Sequence, residues 1–475
     1  MSASQRVACE DVVMFVNAAI ASSAQREFRQ SAGEQRMSLG FLHEYVLGNY
    51  RELYAATLAL DVNHLNAAWI VTNLLRTASA AGPRERALEG RLIAARLRTL
   101  PPQRVYAAFR ELRRLGVNNR RTRAIMRDWV TARPDPAFDA VKYRRSLSVA
   151  ARHAHLALPG EVGTALFDWR TPKRYDTPIL ESWRRAHYEA RSLYDLPYTV
   201  AEGLAVRHGI DRARFLAGIA PRLTDHERLR LQSSAARHGA ATVAMDLASA
   251  PLTRLAVYVL SLPRPERAER RAELTEALRT AARRAAGNRF GTWGRVVAVL
   301  DDSYSSAGSA AKRRRPLAVA LATHYLLEAL ATSYTGLWLN HSGDPLTVHP
   351  VGVTALGERL VDGLELRPDR LVIVSDGWDN APAGLAAEVL RVWRTALDPG
   401  ERTSIVHLNP VYDSDSFDVR RLGGDVATVG VRDAEDVAAL VELARFATGR
   451  AGFDELRAHL SDRVGRFLHA SEAAR

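Results

Sequence analysis

The sequence predicts two architectures in one multidomain chain. An all-α, HEAT-repeat-like helical solenoid spans 1–290, and a doubly wound α/β domain ending in a helix spans 291–475. Three observations carry this. Apolar residues recur at spacings of three and four through the first half. Continuous apolar runs alternate with helical periodicity through the second. Between them the charge changes sign: 1–290 holds 46 Lys and Arg against 28 Asp and Glu, a net of +18, whereas 291–475 holds 20 against 25, a net of −5.

The helical half begins with "FLHEYVLGNYRELYAATLAL", "LNAAWIVTNLLRTA", "PRERALEGRLIAARLRTL", "PQRVYAAFRELRRLG" and "RTRAIMRDWV". Turn residues cut these segments at "DVNH", "AAGP", "LPPQ", "GVNN" and "ARPDP". The pattern continues through "PILESWRRAHYEARSLY" to "ERAELTEALRTAARRAAG", with no strand expected before Val296. Many short helices joined by tight turns read as stacked antiparallel pairs, without a repeat consensus. After "GNRFGTWGR" the expected strands are 296–300, 335–340, 346–351, 370–375, 403–409 and 425–431. The expected helices between and after them are 314–332, 354–364, 383–397 and 433–448.

With 47% apolar and 25% charged residues over 475 positions, the chain is expected to bury sizeable cores. No run of 18 to 20 apolar residues predicts a membrane span. The segment "DVVMFVNAAIASSA" follows Glu10 and begins at Asp11, without a basic flank, so no signal peptide is expected. A single cysteine, Cys9, excludes an internal disulfide and a cysteine zinc site, and fits a reducing cytoplasm. Only Lys142, Lys173 and Lys312 are lysines. Genomic base composition accounts for arginine over lysine, but not for a surplus confined to one half. A basic half points to a polyanionic partner.

Chemistry concentrates where "RVVAVLDDSYSS" leaves the first expected strand. Ligands of doubly wound sheets bind at the carboxyl ends of strands. Asp301, Ser303 and Ser305 sit two apart on that loop, Thr354 lies in "HPVGVTALGERL", and Asp376 ends "LVIVSD". Two carboxylates with three hydroxyls make a hard, all-oxygen donor set suited to Mg²⁺. This pattern, D-x-S-x-S then a threonine then S-D-G, resembles a von Willebrand factor A domain with its metal-ion-dependent adhesion site. The resemblance implies that Ser303 and Ser305 coordinate the ion directly, and Thr354 or Asp376 directly or through water. It also implies that an acidic group of a protein partner takes the open position. Two positions depart from it. Tyr304 stands where relatives often carry a small residue, so it is expected to narrow access or offer a stacking surface. Asp302 is expected to point away and cap the following turn.

A helical solenoid before such a domain resembles the Ro/TROVE family of ring-shaped RNA-binding proteins. The resemblance rests on "LGVNNRRTRAIMRDWV" and "FDAVKYRRSLSVAARHAHLALP". It implies that Lys142, Tyr143, Arg144, Arg152 and His155 face a positively charged hole, beside an arginine-rich helix with Arg120, Arg121, Arg123 and Arg127. The implied partner is non-coding RNA, of the Y type or with single-stranded 3′ ends. Arginines that neutralise phosphates and stack on bases, with Tyr143 among them, suit single-stranded ends. Structural alternatives stand beside this: "NNRRTR" as a solvated helix start, His155 as a buried core histidine, and "AKRRRP" (311–316) as plain surface. "YDSDSFD" (412–418) is expected to be a solvated acidic loop. No nucleotide-binding or hydrolase motif occurs, and His324 and His349 are isolated, so a binding protein is expected and not an enzyme. The rival reading is a metal-dependent protein scaffold that binds no RNA.

Overall fold

Proline delimits the short helices of the basic half. Pro83, Pro102, Pro136 and Pro178 each stand first in a helix, where a missing N–H costs nothing. Asn119 caps Arg120–Thr131 through the Thr122 N–H, and Asp135 caps Pro136–Lys142 through the Phe138 N–H. The computed structural model describes residues 3–237, 246–424, 426–447 and 451–473, leaving out the side chains of 232–237, 445 and 447. Among these residues no strand precedes Arg295, and no helix is long and apolar enough to cross a membrane.

The chain forms two compact units, Met1–Asn66 with Asp246–Arg466, and Ala67–Met245 with Phe467–Arg475. In the second, wholly helical unit, Pro102–Arg114 and Arg120–Thr131 both pack on Arg144–Ala154. Their shared core is aromatic: Trp129 meets Tyr106 edge-on at 5.1 Å and Phe109 at 5.5 Å. Beside it Asp139, 1% exposed, binds Arg133 at 2.6 Å and accepts from the Tyr106 hydroxyl at 3.2 Å. The net excess of positive charge resides in this stretch. Residues 67–245 carry 32 Lys and Arg against 16 Asp and Glu, a net of +16, and the rest of the chain carries 34 against 37, a net of −3.

The first unit holds a five-stranded parallel sheet. Its strands are β1 Arg295–Leu300, β2 Ser333–Trp338, β3 Arg370–Val374, β4 Ser404–Asn409 and β7 Ala427–Gly430. Their order is β2-β1-β3-β4-β7. A two-stranded antiparallel hairpin, β5 Tyr412–Asp413 and β6 Asp418–Val419, lies outside it. One sheet face contributes Val297, Val299, Leu371 and Ile373 to a core with Leu356, Leu360 and Leu390 of the helices Leu356–Glu365 and Leu385–Val392. On the strand connections, helix Arg315–Leu330 is buried along almost its whole length because Leu252–Ser261 and Arg271–Ala286 pack on it. The first helix, Ala3–Ala21, packs on β7 and on Val437–Ala447. Helices on both sides of residue 67 to 245 in sequence thus belong with the sheet, and the boundary expected at 290/291 falls inside this unit.

Two expected elements take other forms. The strand expected at 346–351 is a 3₁₀ turn, Pro345–Thr347, followed by a loop. Pro345 and Pro350 remove ladder donors, and the loop's backbone pairs elsewhere: Tyr304 N–H donates to the Gly352 carbonyl at 3.1 Å and Val351 N–H to the Asp302 carbonyl at 2.9 Å. The stretch 412–418 is not a solvated loop but the β5–β6 hairpin, with Asp413 and Asp418 buried. Gln30 donates to Asp413 at 2.6 Å, Asn17 donates to Asp418 at 3.1 Å, and Arg421 pairs with Asp418 at 3.1 Å. Residue 425 of the expected strand 425–431 and residue 448 of the expected helix 433–448 lie outside the described residues.

Candidate metal centre and nucleic-acid interface

Strand order alone places a crevice. Chain connections leave β1 and β3 in opposite directions, so their carboxyl ends flank the topological switch point where such sheets bind ligands. Leu300 pairs with Val374 in register, and the Asp301 N–H extends the ladder to the Val374 carbonyl at 3.0 Å. Asp301 and Asp376 therefore leave adjacent strands side by side.

Each carboxylate commits one oxygen to its own loop. Asp301 Oδ1 accepts from Ser303 N–H at 2.8 Å, and Asp376 Oδ1 accepts from Trp378 N–H at 3.0 Å. The Ser303 and Ser305 hydroxyls lie 3.3 Å apart. Burial first, and then the Asp376 carboxylate, push Asp301 up to about 7. Burial also pushes Asp376 up, against the Ser305 hydroxyl, the Trp378 N–H and the guanidiniums of Arg29 and Arg420. Two buried carboxylates that repel each other would both ionise readily only with a cation between them. A cavity of about 10 Å³, lined by Asp301, Ser305, Ser306, Ser375 and Asp376, is of ion or single-water size. Thr354 is buried beside this loop system and is placed by Asn380. Its N–H donates to Asn380 Oδ1 at 3.1 Å, and its carbonyl accepts from Asn380 N–H at 3.3 Å. Among the described residues no group of three or more His, Cys, Asp or Glu side chains could hold a metal. The donor set at this crevice is of another kind, two carboxylates and hydroxyls.

Asp302 does not cap the next turn. It is 0% exposed, and its Oδ1 accepts from Asn340 N–H at 2.8 Å, tying the first loop to the chain after β2. Among the described residues its Oδ2 has no hydrogen-bond partner. Tyr304 is 67% exposed and leans edge-on against Phe28 at 5.9 Å. Trp378 lies between two guanidiniums, Arg29 at 4.2 Å and Arg420 at 3.7 Å from its ring centre. Gly377 makes that stacking possible: its φ is +76°, and a Cβ would lie 2.7 Å from the Arg420 carbonyl. Behind the turn, His407 is fully buried, with Nε2 3.2 Å from the Ser375 carbonyl and Nδ1 3.3 Å from the Thr428 hydroxyl. Burial holds it neutral, down to about 4. Arg29, Asn380 and His407 escaped sequence reasoning. Only Asn380 carried a local signal, as the fourth residue after Asp376.

The nine expected RNA contacts divide by what already holds them. Arg121 pairs with Glu89 at 3.2 Å and donates to the Arg86 carbonyl at 2.9 Å. Arg144 donates to the Ala165 and Leu166 carbonyls and lies 4.7 Å over Trp183. Tyr143 packs on Tyr106 at 5.4 Å, and Lys142 lies 5.3 Å over Phe138. These four side chains are bound up in the fold. Arg152, over Phe167 at 5.1 Å, is exposed. Arg120 and Arg127 are exposed and Arg123 half-exposed, and none of the three forms an ion pair among the described residues. His155 is exposed in the left-handed conformation that ends Arg144–Ala154, so it is not a core histidine. Its neighbour His153 is the one folded in, 3.0 Å from the Val117 carbonyl. No protein-family model matches the chain, and no curated protein is significantly similar to it.

Proposed function

We propose that this chain binds non-coding RNA through its basic helical unit and carries an Mg²⁺ site of the von Willebrand factor A type, in the manner of the Ro/TROVE proteins it resembles. The observation that carries the reading is the charge: a net of +16 over 67–245, against −3 for everything else. Arg120, Arg123, Arg127 and Arg152 are the arginines free to neutralise phosphates, and His155 stands exposed at the end of the same helix as Arg152. Flexible single strands suit such a surface better than duplex grooves, because arginine planes stack on unpaired bases. At the crevice, Asp301 and Asp376 would supply charge to the ion, and Ser303, Ser305 and Thr354 neutral oxygens. An acidic group of a protein partner would take the remaining position, and the chain carries out no catalysis there. Arg29 and Arg420 beside Trp378 would then help to attract that acidic group.

Filter binding of a hairpin RNA with a single-stranded 3′ tail tests the RNA reading. Affinity falls steeply with salt, and Arg120→Ala, Arg123→Ala and Arg127→Ala together flatten the log–log slope by about 2, at roughly 0.7 per phosphate contact. Arg121 and Arg144 are unsuitable for this test, since their loss would loosen the unit. Absence of binding at low salt overturns the reading and favours a protein scaffold. The helical ion pairs Glu111–Arg114, Glu181–Arg184 and Arg185–Glu189 would then be the ordinary surface of that scaffold.

A further inference from the structure

The charged side chains of "AKRRRP" line neither proposed site, yet the run borders a cavity of about 360 Å³ in the sheet-bearing unit. That volume falls within the usual range for small-molecule sites. The cavity opens at the carboxyl edge of the sheet, where Pro410 follows β4 and Val431 and Arg432 follow β7. Its lining combines four cations, Lys312, Arg313, Arg315 and Arg432, with the apolar side chains of Ile20, Val257 and Val431. No carboxylate is among the lining residues.

The cations are only partly compensated from behind. Lys312 pairs with the buried Glu27. Arg315 and Arg432 share one acid, Asp433, each at 2.5 Å. Arg432 reaches a second, Asp436, at 4.0 Å, but burial pushes Asp436 up to about 7, which weakens its charge at neutral pH. Arg313 is exposed and forms no ion pair among the described residues. These pairs pre-position Lys312, Arg315 and Arg432, whose side chains are 13%, 26% and 29% exposed, so a ligand would find them already ordered.

We propose that this cavity binds a small organic phosphate of the nucleoside-diphosphate kind. Its phosphates rest on Lys312, Arg313, Arg315 and Arg432, and its less polar part lies against Ile20, Val257 and Val431. The cavity shares Pro410 with the ion-sized one at the Asp301 crevice, but none of its four cations lines that crevice and none of its lining residues belongs to 67–245, so it is tested independently of both.

Isothermal titration of the full chain with ADP in EDTA tests it, with adenosine and pyrophosphate as parallel probes. ADP binds at least tenfold more tightly than pyrophosphate, and adenosine gives no heat. Arg313→Glu, a surface change, weakens ADP at least tenfold, and Lys312→Gln does likewise. Asp301→Ala leaves ADP affinity unchanged. Absence of ADP binding, equal affinity for pyrophosphate, or ADP affinity unmoved by Arg313→Glu in a folded variant each overturns the proposal.

Discussion

Asp302 stands one residue from the ion-sized cavity with one carboxylate oxygen bound and the other bare. Burial pushes its carboxyl up, and the bound Asn340 N–H opposes that. A buried acceptor left without a donor costs about 1–3 kcal/mol. Asp302→Asn keeps the Oδ1 contact and removes the buried charge, with Nδ2 taking the place of the bare oxygen. The metal-free variant should melt roughly 2–4 °C higher for about 1 kcal/mol gained. Its Mg²⁺ affinity should fall several-fold, since the charge that raises Asp301 also attracts the cation. Calorimetry with and without Mg²⁺ checks both signs, and Asp301→Ala should abolish the Mg²⁺ response. A variant that melts lower and binds Mg²⁺ as well as the parent would refute the account. The five candidate residues could be picked out because each signal is local: a two-residue spacing, a strand end, a turn. Asp302 misled because its partner, Asn340, comes from another strand end. Nothing near Arg29 announces that it will stack on Trp378, some 350 positions away.

At the scale of elements, the alternation of apolar runs and helices from β1 onward was readable, and five of the six expected strands are strands of the sheet close to where periodicity puts them. Helix ownership was not readable. An amphipathic helix does not declare whether it buries its stripe against another helix or against a sheet, so Ala3–Ala21 fell within the expected helical half, and Leu252–Ser261 and Arg271–Ala286 looked like further repeats. What seats the first of them is a contact between backbones. Gly430 of β7 lies against Asn17, whose Oδ1 accepts from Gly430 N–H at 3.0 Å and whose Nδ2 donates to Asp418 at 3.1 Å. A Cβ on Gly430 would lie 2.6 Å from the Asn17 carbonyl oxygen, a backbone atom with little room to yield. Gly430→Ala should therefore destabilise the sheet-bearing unit by about 1–3 kcal/mol, as overpacking does. A melting temperature equal to that of the parent would show that the first helix is not held there.

The whole molecule separates its electrical problems. The helical unit concentrates positive charge on its surface, whereas the sheet-bearing unit buries ionisable groups that titrate near neutrality. His43, His324 and His407 are held down to about 4 by burial. Their folded values lie below the unfolded one, so the stability they contribute is present above about 6.5 and lost as pH falls toward 4. Asp301 and Asp436 go the other way, up to about 7 from the ordinary 3.8. The folded chain then holds protons that the unfolded chain has released, so stability is lost as pH rises from about 4 through 7. Between pH 6.5 and 7.5 the carboxyls lower stability as pH rises, while the three histidines, half protonated when unfolded at 6.5, raise it by nearly as much. In EDTA the carboxyl slope should therefore show as a melting temperature of the sheet-bearing unit that stays nearly flat over this interval instead of rising. Asp436→Asn should remove part of that slope at any metal concentration. Saturating Mg²⁺ should remove the Asp301 part, because a cation bound by ionised carboxylates replaces the penalty with attraction. Differential scanning calorimetry across this interval separates the two contributions. A pH dependence unchanged by Mg²⁺ but turned upward by Asp436→Asn would leave the buried pair intact and remove the ion from the crevice between β1 and β3.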